Sequence, residues 1–404
     1  MQRAVVIGGG PSGLMAAETL LKNGISVDLY EAKPSIGRKF LMAGKSGLNI
    51  THAENLDAFL DKYHSDRVFL EPYVNKFTPL SIREWVEGLG IDTFEGSSHR
   101  VFPKVMKASP LLRNWLRRLN HSGLKIHVNH KWLGFNDFTN LKFSSPLGIT
   151  EVNYDAVILG LGGASWPKLG SNAHWVNILT QKNIPIISFR PSNCGFNIKW
   201  SEYFKSKFAG KPVKSCRLTV AGTTVSGDFN VTEYGLEGGP IYSHSRVLRE
   251  QIENNGQASL SIDLAPNKTR IELQEGLSRP RGKNSLANHI RKTVKLTGVK
   301  AGLLREFGAL DVLKSTDLLV NLIKSMPITL TTSQSMERAI SSAGGIPFEA
   351  LDENLMIKAM PGFFASGEML NWDAPTGGYL LTACLALGKG AAEGSVNWLK
   401  QRIN

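Results

Sequence analysis

An α/β fold organised around a dinucleotide-binding unit is predicted by three stretches of this sequence. They are VVIGGGPSGLMAA at 5–17, DAVILGLGGAS at 155–165 and FFASGEMLNWDAPTGGYLL at 363–381. The first joins a buried strand to a helix through glycines. The second is an apolar strand that also ends in glycines. The third meets a Gly-Glu pair and a double glycine just before an apolar helix. Glycines at strand-to-helix junctions mark places where backbone must come close to something.

The first stretch is the most specific. RAVVIGG reads as a parallel strand, PSGLMAAETLLKNG as a helix ending near Gly24, and ISVDLYE as the next strand. Gly8, Gly10 and Gly13 fit G-x-G-x-x-G, and Glu31 closes the second strand 18 residues after Gly13. Gly8 permits a tight turn, Gly10 lets a pyrophosphate approach, and Gly13 allows close helix–strand packing. Pro11 and Ser12 open the helix, whose free N–H groups and positive dipole end favour an anion. A carboxylate at Glu31, followed by Ala32, accepts hydrogen bonds from an adenosine ribose and disfavours a 2′-phosphate.

The segment AKPSIGRKFLMAGKSGLNITH (32–52) reads as a long Gly- and Lys-rich excursion in place of a second crossover helix. Arg38 and Lys39 are expected to face phosphate. Gly44, Ser46, Gly47 and Asn49 offer backbone and small polar groups to a flat ring. KIHVNHKWLGFNDF and the segment after it read as short alternating strands. DAVILGLGGAS has no second G-x-G-x-x-G followed by an acid, so a second complete NAD domain is not visible. It suits a strand returning to the first sheet, with Gly162 and Gly163 near adenosine or pyrophosphate.

An N-terminal ribose-binding βαβ unit, a meander, a mid-chain strand ending in glycines and a C-terminal strand ending in Gly-Glu form an ordered set. The set resembles the glutathione-reductase-like FAD-binding Rossmann fold. That resemblance implies a last strand lying beside the first. It also implies Gly367 and Glu368 at the ribityl-pyrophosphate region. The helix from Gly377–Gly378–Tyr379 is expected to point its N-terminus at the pyrimidine edge of the flavin, where the dipole stabilises negative charge. Backbone at Trp132, on the meander, is expected to touch adenine. Both termini are needed because FAD is a long molecule.

The remaining composition sets limits. At 404 residues with 42% hydrophobic and 20% charged content, the chain is globular and large enough for more than one domain. The expected division is 1–185 for the N-terminal part of the FAD domain, 186–336 for an insertion, and 337–404 for its C-terminal part. FNIKWSEYF, CRLTVAGTTVSGDF and ASLSIDLAP suggest antiparallel strands in the insertion. NKTRIELQEGLS, SLANHIRKTVKL and TDLLVNLIKSM suggest helices. Such a β-rich and helical insertion would cover the flavin and choose the substrate, with Trp200, Tyr203, Phe204 and Tyr234 as candidates to line a pocket or stack a base. No apolar run approaches the roughly 18–20 residues of a membrane span. MQRAVVIGGG leaves no room for a signal peptide, so a cytoplasmic protein without a membrane partner is expected. Cys194, Cys216 and Cys384 have neither disulfide-framework nor zinc spacing, and no metal site is expected. Cys384 sits in an apolar helical run and reads as core.

Net charge is +13, from 47 basic and 34 acidic residues. Basic residues gather in 99–121, in 268–300 and in the loop SRPRGKNS (278–285), which favours an anionic partner.

The motifs GRKFLMAGKSGLNITH, RVFPKVMKAS, DAVILGLGGASWPKLG, TEYGLEGGPIYS, SSAGGIP and PGFFASGEMLNWDAPTGGY occur in this order across nearly the whole chain. Together they resemble the BaiN/RdsA-like (YhiN-type) flavoprotein family. The resemblance implies FAD, reduction by NAD(P)H, and reduction of a carbon–carbon double bond. The substrates that the resemblance implies, from those linked to members, are uridine in ribosomal RNA, giving dihydrouridine, or an unsaturated bile-acid intermediate. One departure matters. Where the family commonly reads G-G-G-R-C-N-F-T-N, this chain has GKSGLNITH, so the Arg-Cys pair is Gly47–Leu48. The thiol that would serve as a proton donor is missing; Lys45 and Asn49 are the remaining catalytic candidates. Three functions stay open: an RNA reductase, a reductase or dehydrogenase of a small unsaturated metabolite, and a flavin redox sensor without turnover. The oligomeric state is not legible.

Overall fold

The computed structural model describes residues 2–44, 47–136 and 140–402. They divide into two compact units, 2–190 with 340–402, and 191–339.

The first unit is built on a five-stranded, wholly parallel sheet. Its strands are β1 (Arg3–Ile7), β2 (Ser26–Tyr30), β3 (Lys125–His127), β4 (Ala156–Leu159) and β5 (Phe363–Ala365). The spatial order is β5-β4-β1-β2-β3. β1 and β4 are near-continuous apolar runs, buried almost throughout, as expected when both faces of a parallel sheet are covered. Helix α1 (Pro11–Lys22) follows β1, with Pro11 at its first position, where the missing N–H costs nothing. α2 (Arg38–Ala43) is a six-residue helix inside the segment expected to be a loop. α3 (Tyr379–Gln401) closes the unit and buries Ala383, Leu387 and Ala391.

One expectation fails here. The last strand does not lie beside the first. β5 pairs with β4 (Val157 with Phe363), and β4 pairs with β1 (Ala4 with Ala156). All three strands are apolar, so composition does not rank them; the mid-chain strand takes the inner position. A three-stranded meander (131–136, 140–145, 148–153) carries Trp132.

The boundaries also fall later than the sequence suggests. Residues 187–190 run beside 341–345, with Phe189 against Gly344, and stay with the first unit.

The second unit holds a six-stranded antiparallel sheet, in the order 196–197, 235–237, 223–231, 212–220, 258–263 and 326–330. Leu218, Phe229, Ile262, Leu273 and Ile323 are among its buried core. Helix 270–277 starts with a capping box of Thr269 and Glu272. The stretch SEYF, expected in a strand, begins helix 202–208 instead. The Ser201 hydroxyl caps it by accepting from the Phe204 N–H at 3.1 Å. Trp200 and Phe204 pack with their ring centres 4.7 Å apart, tilted, inside this core.

On β2, Asp28 is buried and accepts from Arg3 Nε at 2.9 Å and His127 Nε2 at 2.7 Å, tying three strands together. Burial opposes its charge, but hydrogen bonds from His127 and Arg3 outweigh burial and hold the carboxyl below its ordinary value of 3.8. A depressed folded pKa contributes stability that is complete above 3.8 and is lost as pH falls through the lower folded value. Arg3 and His127 are partly exposed, so the contribution is screened. Asp28→Asn should lower stability by about 1–2 kcal/mol at neutral pH in urea unfolding. The gap from wild type should close only below pH 3.8.

Candidate functional site

The turn from β1 into α1 is an interlock of backbones. Gly8 has φ 112°, and a Cβ there would lie 2.2 Å from the Gly160 carbonyl oxygen. A Cβ on Gly13 would lie 2.0 Å from the Gly8 carbonyl oxygen. These two glycines are therefore spent on packing β1, α1 and the loop after β4 together. Gly10 differs. Its φ of −83° suits any residue, and nothing lies within 4 Å of its missing Cβ. It opens onto a cleft that Glu31, Arg38 and Trp132 also line. Gly10, Pro11 and Ser12 present the first turn of α1 to that cleft, and with it the positive end of the helix.

Glu31 stands across the cleft at the end of β2. Its Oε2 accepts from the Gly9 N–H at 2.9 Å and its Oε1 from the Lys33 N–H at 2.8 Å. Burial raises its pKa, and those two backbone donors only partly offset the rise. Each oxygen keeps a lone pair for a hydroxyl. Ala32, Trp132 and Gly162 line the same space, and the Trp132 indole N–H is buried without a partner.

Arg38 and Lys39, at the start of α2, also line the cleft, but they differ in partners. Arg38 Nη1 donates to Ser35 Oγ at 3.0 Å, while its Nε is buried without an acceptor. A buried guanidinium N–H left unsatisfied on a cleft wall is what an anionic oxygen would complete. Lys39 is already engaged. Its Nζ donates to Ser165 Oγ at 2.6 Å and to Glu368 Oε2 at 2.5 Å. Glu368 Oε1 accepts from the Ser342 N–H at 2.9 Å. Lys39 thus lines the cleft as one half of an ion pair between opposite ends of the chain.

Other expected residues stand behind the cleft wall. Gly163 packs against Ser342 and Glu368, Gly367 against Ser12, and Gly44 against Ala108. Asn49 lies on a segment hydrogen-bonded to 101–106 and has a buried Oδ1 without a partner. Lys45 and Ser46 lie outside the described residues. Gly377 leads into Gly378, where a Cβ would sit 2.5 Å from Thr51 Cα, so the start of α3 rests on that strand. Tyr379 does not line the cleft. Its ring stacks on His52 at 5.5 Å and its hydroxyl donates to Glu54.

Sequence reasoning missed Ser35, His130, Ser171 and Ser366 as lining residues. Ser35 and Ser366 lie inside stretches already singled out but were not marked there, and only the fold collects the four. Cys384, read as core, is half-buried and lines the cleft. Burial holds its thiol far above the ordinary range, so it is a neutral wall group. Among the described residues no cluster of His, Cys, Asp or Glu is placed to hold a metal, and no helix is long and apolar enough to cross a membrane.

The parallel sheet, the glycine turn and the acid after β2 make a dinucleotide-binding site, and its family and relatives make the protein an FAD-dependent oxidoreductase. Residues 2–394 match the HI0933-like protein Rossmann domain, and the chain belongs to that family. It is 23% identical to a 3-dehydro-bile acid Δ(4,6)-reductase of Clostridium scindens, over 96% of this chain and 97% of that protein. It is 24% identical to a ribosomal RNA dihydrouridine synthase of Haemophilus influenzae, over 93% and 94%. Among solved structures, a flavocytochrome c3 fumarate reductase aligns at TM-score 0.53 and 14% identity, over 98% of this chain and 78% of that one. A 3-ketosteroid-Δ4-(5α)-dehydrogenase from Rhodococcus jostii aligns at TM-score 0.52 and 13% identity, over 98% and 97%. At such identities the structures speak for the fold alone.

The two kinds of glycine separate in a simple experiment. Gly8→Ala should cost about 3 kcal/mol or more, from a left-handed φ and a backbone clash. Gly10→Ala should unfold within about 0.5 kcal/mol of wild type. Urea unfolding of the cofactor-free protein measures both.

Proposed function

We propose that this protein uses FAD to reduce a carbon–carbon double bond, and that its substrate is uridine in ribosomal RNA. The cleft carries the cofactor part of this reading. Its walls offer a helix N-terminus with no side chain at Gly10, an unsatisfied Arg38 Nε, and a carboxylate at Glu31 with spare acceptor capacity. These residues fit the pyrophosphate and adenosine ribose of FAD in that order. Lys39 compensates Glu368, so the buried acid adds no net repulsion toward an anionic cofactor. Bound FAD supplies a hydride at flavin N5 after reduction by NAD(P)H.

Two relatives that match nearly the whole chain bear the names of a reductase and a dihydrouridine synthase, which supports double-bond reduction. Charge favours RNA over a small molecule. The second unit holds 21 Lys and Arg against 13 Asp and Glu, a net +8 of the chain's +13. A small unsaturated metabolite is the second reading. It is favoured by Leu48, which is 1% exposed where the family resemblance implies a cysteine, so that proton donor is absent here.

Glu31→Ala should weaken FAD binding about tenfold or more by flavin fluorescence titration, while Glu31→Gln, which keeps one acceptor, should lose less. Wild-type affinity in the alanine variant would remove Glu31 from the ribose site.

The function is tested by anaerobic reduction with NADH and NADPH, then reoxidation with and without ribosomal RNA. Bleaching followed by RNA-dependent return of colour and new dihydrouridine is expected. Bleaching without an RNA response would transfer the assignment to small unsaturated substrates. A flavin that neither nucleotide bleaches would remove the reductase reading.

A further inference from the structure

The four aromatic residues singled out in the second unit part company in the structure. Trp200 and Phe204 are core, but Tyr203 and Tyr234 are 53% and 47% exposed. Each exposed ring carries a guanidinium. Arg305 lies 5.3 Å over Tyr203 and Arg338 lies 4.6 Å over Tyr234. Lys207 adds a second cation at Tyr203, 5.3 Å from the ring centre, and donates to its hydroxyl at 3.0 Å.

The two rings belong to neighbouring elements. Tyr203 opens helix 202–208, and Tyr234 sits in the turn between strands 223–231 and 235–237. Trp200 fastens the two, donating its indole N–H to the Thr232 carbonyl at 3.1 Å. The Tyr234 carbonyl in turn accepts from the Ile198 N–H at 2.8 Å. Lys205 stands on the same helix. Its ammonium is held mainly by Glu202, at 2.9 Å, and also feels Glu233 and Tyr234. Glu202 is therefore met by a base and Glu306 accepts from the Ser201 N–H and hydroxyl, while Arg305, Arg338 and Lys207 stand over aromatic faces.

An exposed tyrosine under an arginine contributes little to a core. Two of them on linked elements of the more basic unit match the way proteins hold unpaired nucleotides, with ring faces for bases and cations for phosphates. A duplex keeps its base faces inside the stack, and an acidic peptide has none to offer. We infer that Tyr203 and Tyr234, with Arg305, Arg338 and Lys207, form a platform on the second unit that binds single-stranded RNA. Bases stack on the two rings, and the cations shift to the backbone phosphates. The inference rests on the RNA reading above and says where the flanking strand is held.

The test uses the FAD-loaded full chain and a short fluorescein-labelled oligouridylate, followed by anisotropy over a range of salt. Tyr203→Ala and Tyr234→Ala should each weaken binding about tenfold, and the double variant about a hundredfold. Tyr→Phe at either site keeps the ring and should stay within about threefold. Arg305→Ala and Arg338→Ala should each lower the salt slope by about one. Both tyrosines are exposed, and retained flavin together with unchanged circular dichroism shows that the variants fold. If wild type binds and the double variant binds equally well, the platform is wrong. The RNA reading then survives wherever wild type still forms dihydrouridine in ribosomal RNA. If wild type does not bind the oligonucleotide, the platform falls; if it also forms no dihydrouridine, the reading beneath it falls as well.

Discussion

Parallel strands cannot be joined by a tight turn, and this first unit depends on that constraint. Three adjacent strands of its sheet come from residues 3–7, 156–159 and 363–365, so the chain travels far between neighbours. Each crossing must pack against the sheet, and the packing is tight enough at Gly8 and Gly13 to exclude even a methyl group. The cleft is a by-product of that closure. Its floor is the glycine turn after β1, and its walls are whatever the other strands deliver at the same end.

The link between Lys39 and Glu368 follows from the same closure. Glu368 comes directly after β5 and Lys39 follows β2, so only a completed sheet brings them within 2.5 Å. Each alone would be a costly charge on a poorly hydrated wall. Together with Ser165 and Ser342 they form a satisfied network that fixes the end of the last strand against α2. The same stretch meets the fingerprint near residue 8 through Ser366 and Gly367, which pack on Ser12.

Local chemistry decided what could be read in advance. The βαβ unit was legible because its glycines, acid and hydrophobic periods are tied to fixed positions a few residues apart. The strand at 156–159 was legible as a member of the sheet, but its place beside β1 was not, because strand order depends on which apolar faces meet. The helix at 202–208 was misread because a serine cap outweighed an aromatic run that looks extended. The cleft was legible where a motif reached it, at Gly10, Glu31 and Arg38. It was hidden at Ser35, His130, Ser171 and Ser366, single residues that only the closed fold gathers. At Tyr379 the backbone and side chain part: the residue after a double glycine belongs to the start of a helix, while its side chain answers to Glu54 and His52.

The ribbon formed by 187–190 and 341–345 has a consequence for descent. Phe189 touches Gly344, so the chain leaves the first unit and returns to it within a few residues of one shared contact. The intervening 149 residues, 191–339, interrupt no strand pairing of the parallel sheet. Such an arrangement behaves like a socket. One redox scaffold can exchange the whole module seated between those two strands, altering what it works on while the pairing of strands 3–7, 156–159 and 363–365 goes untouched.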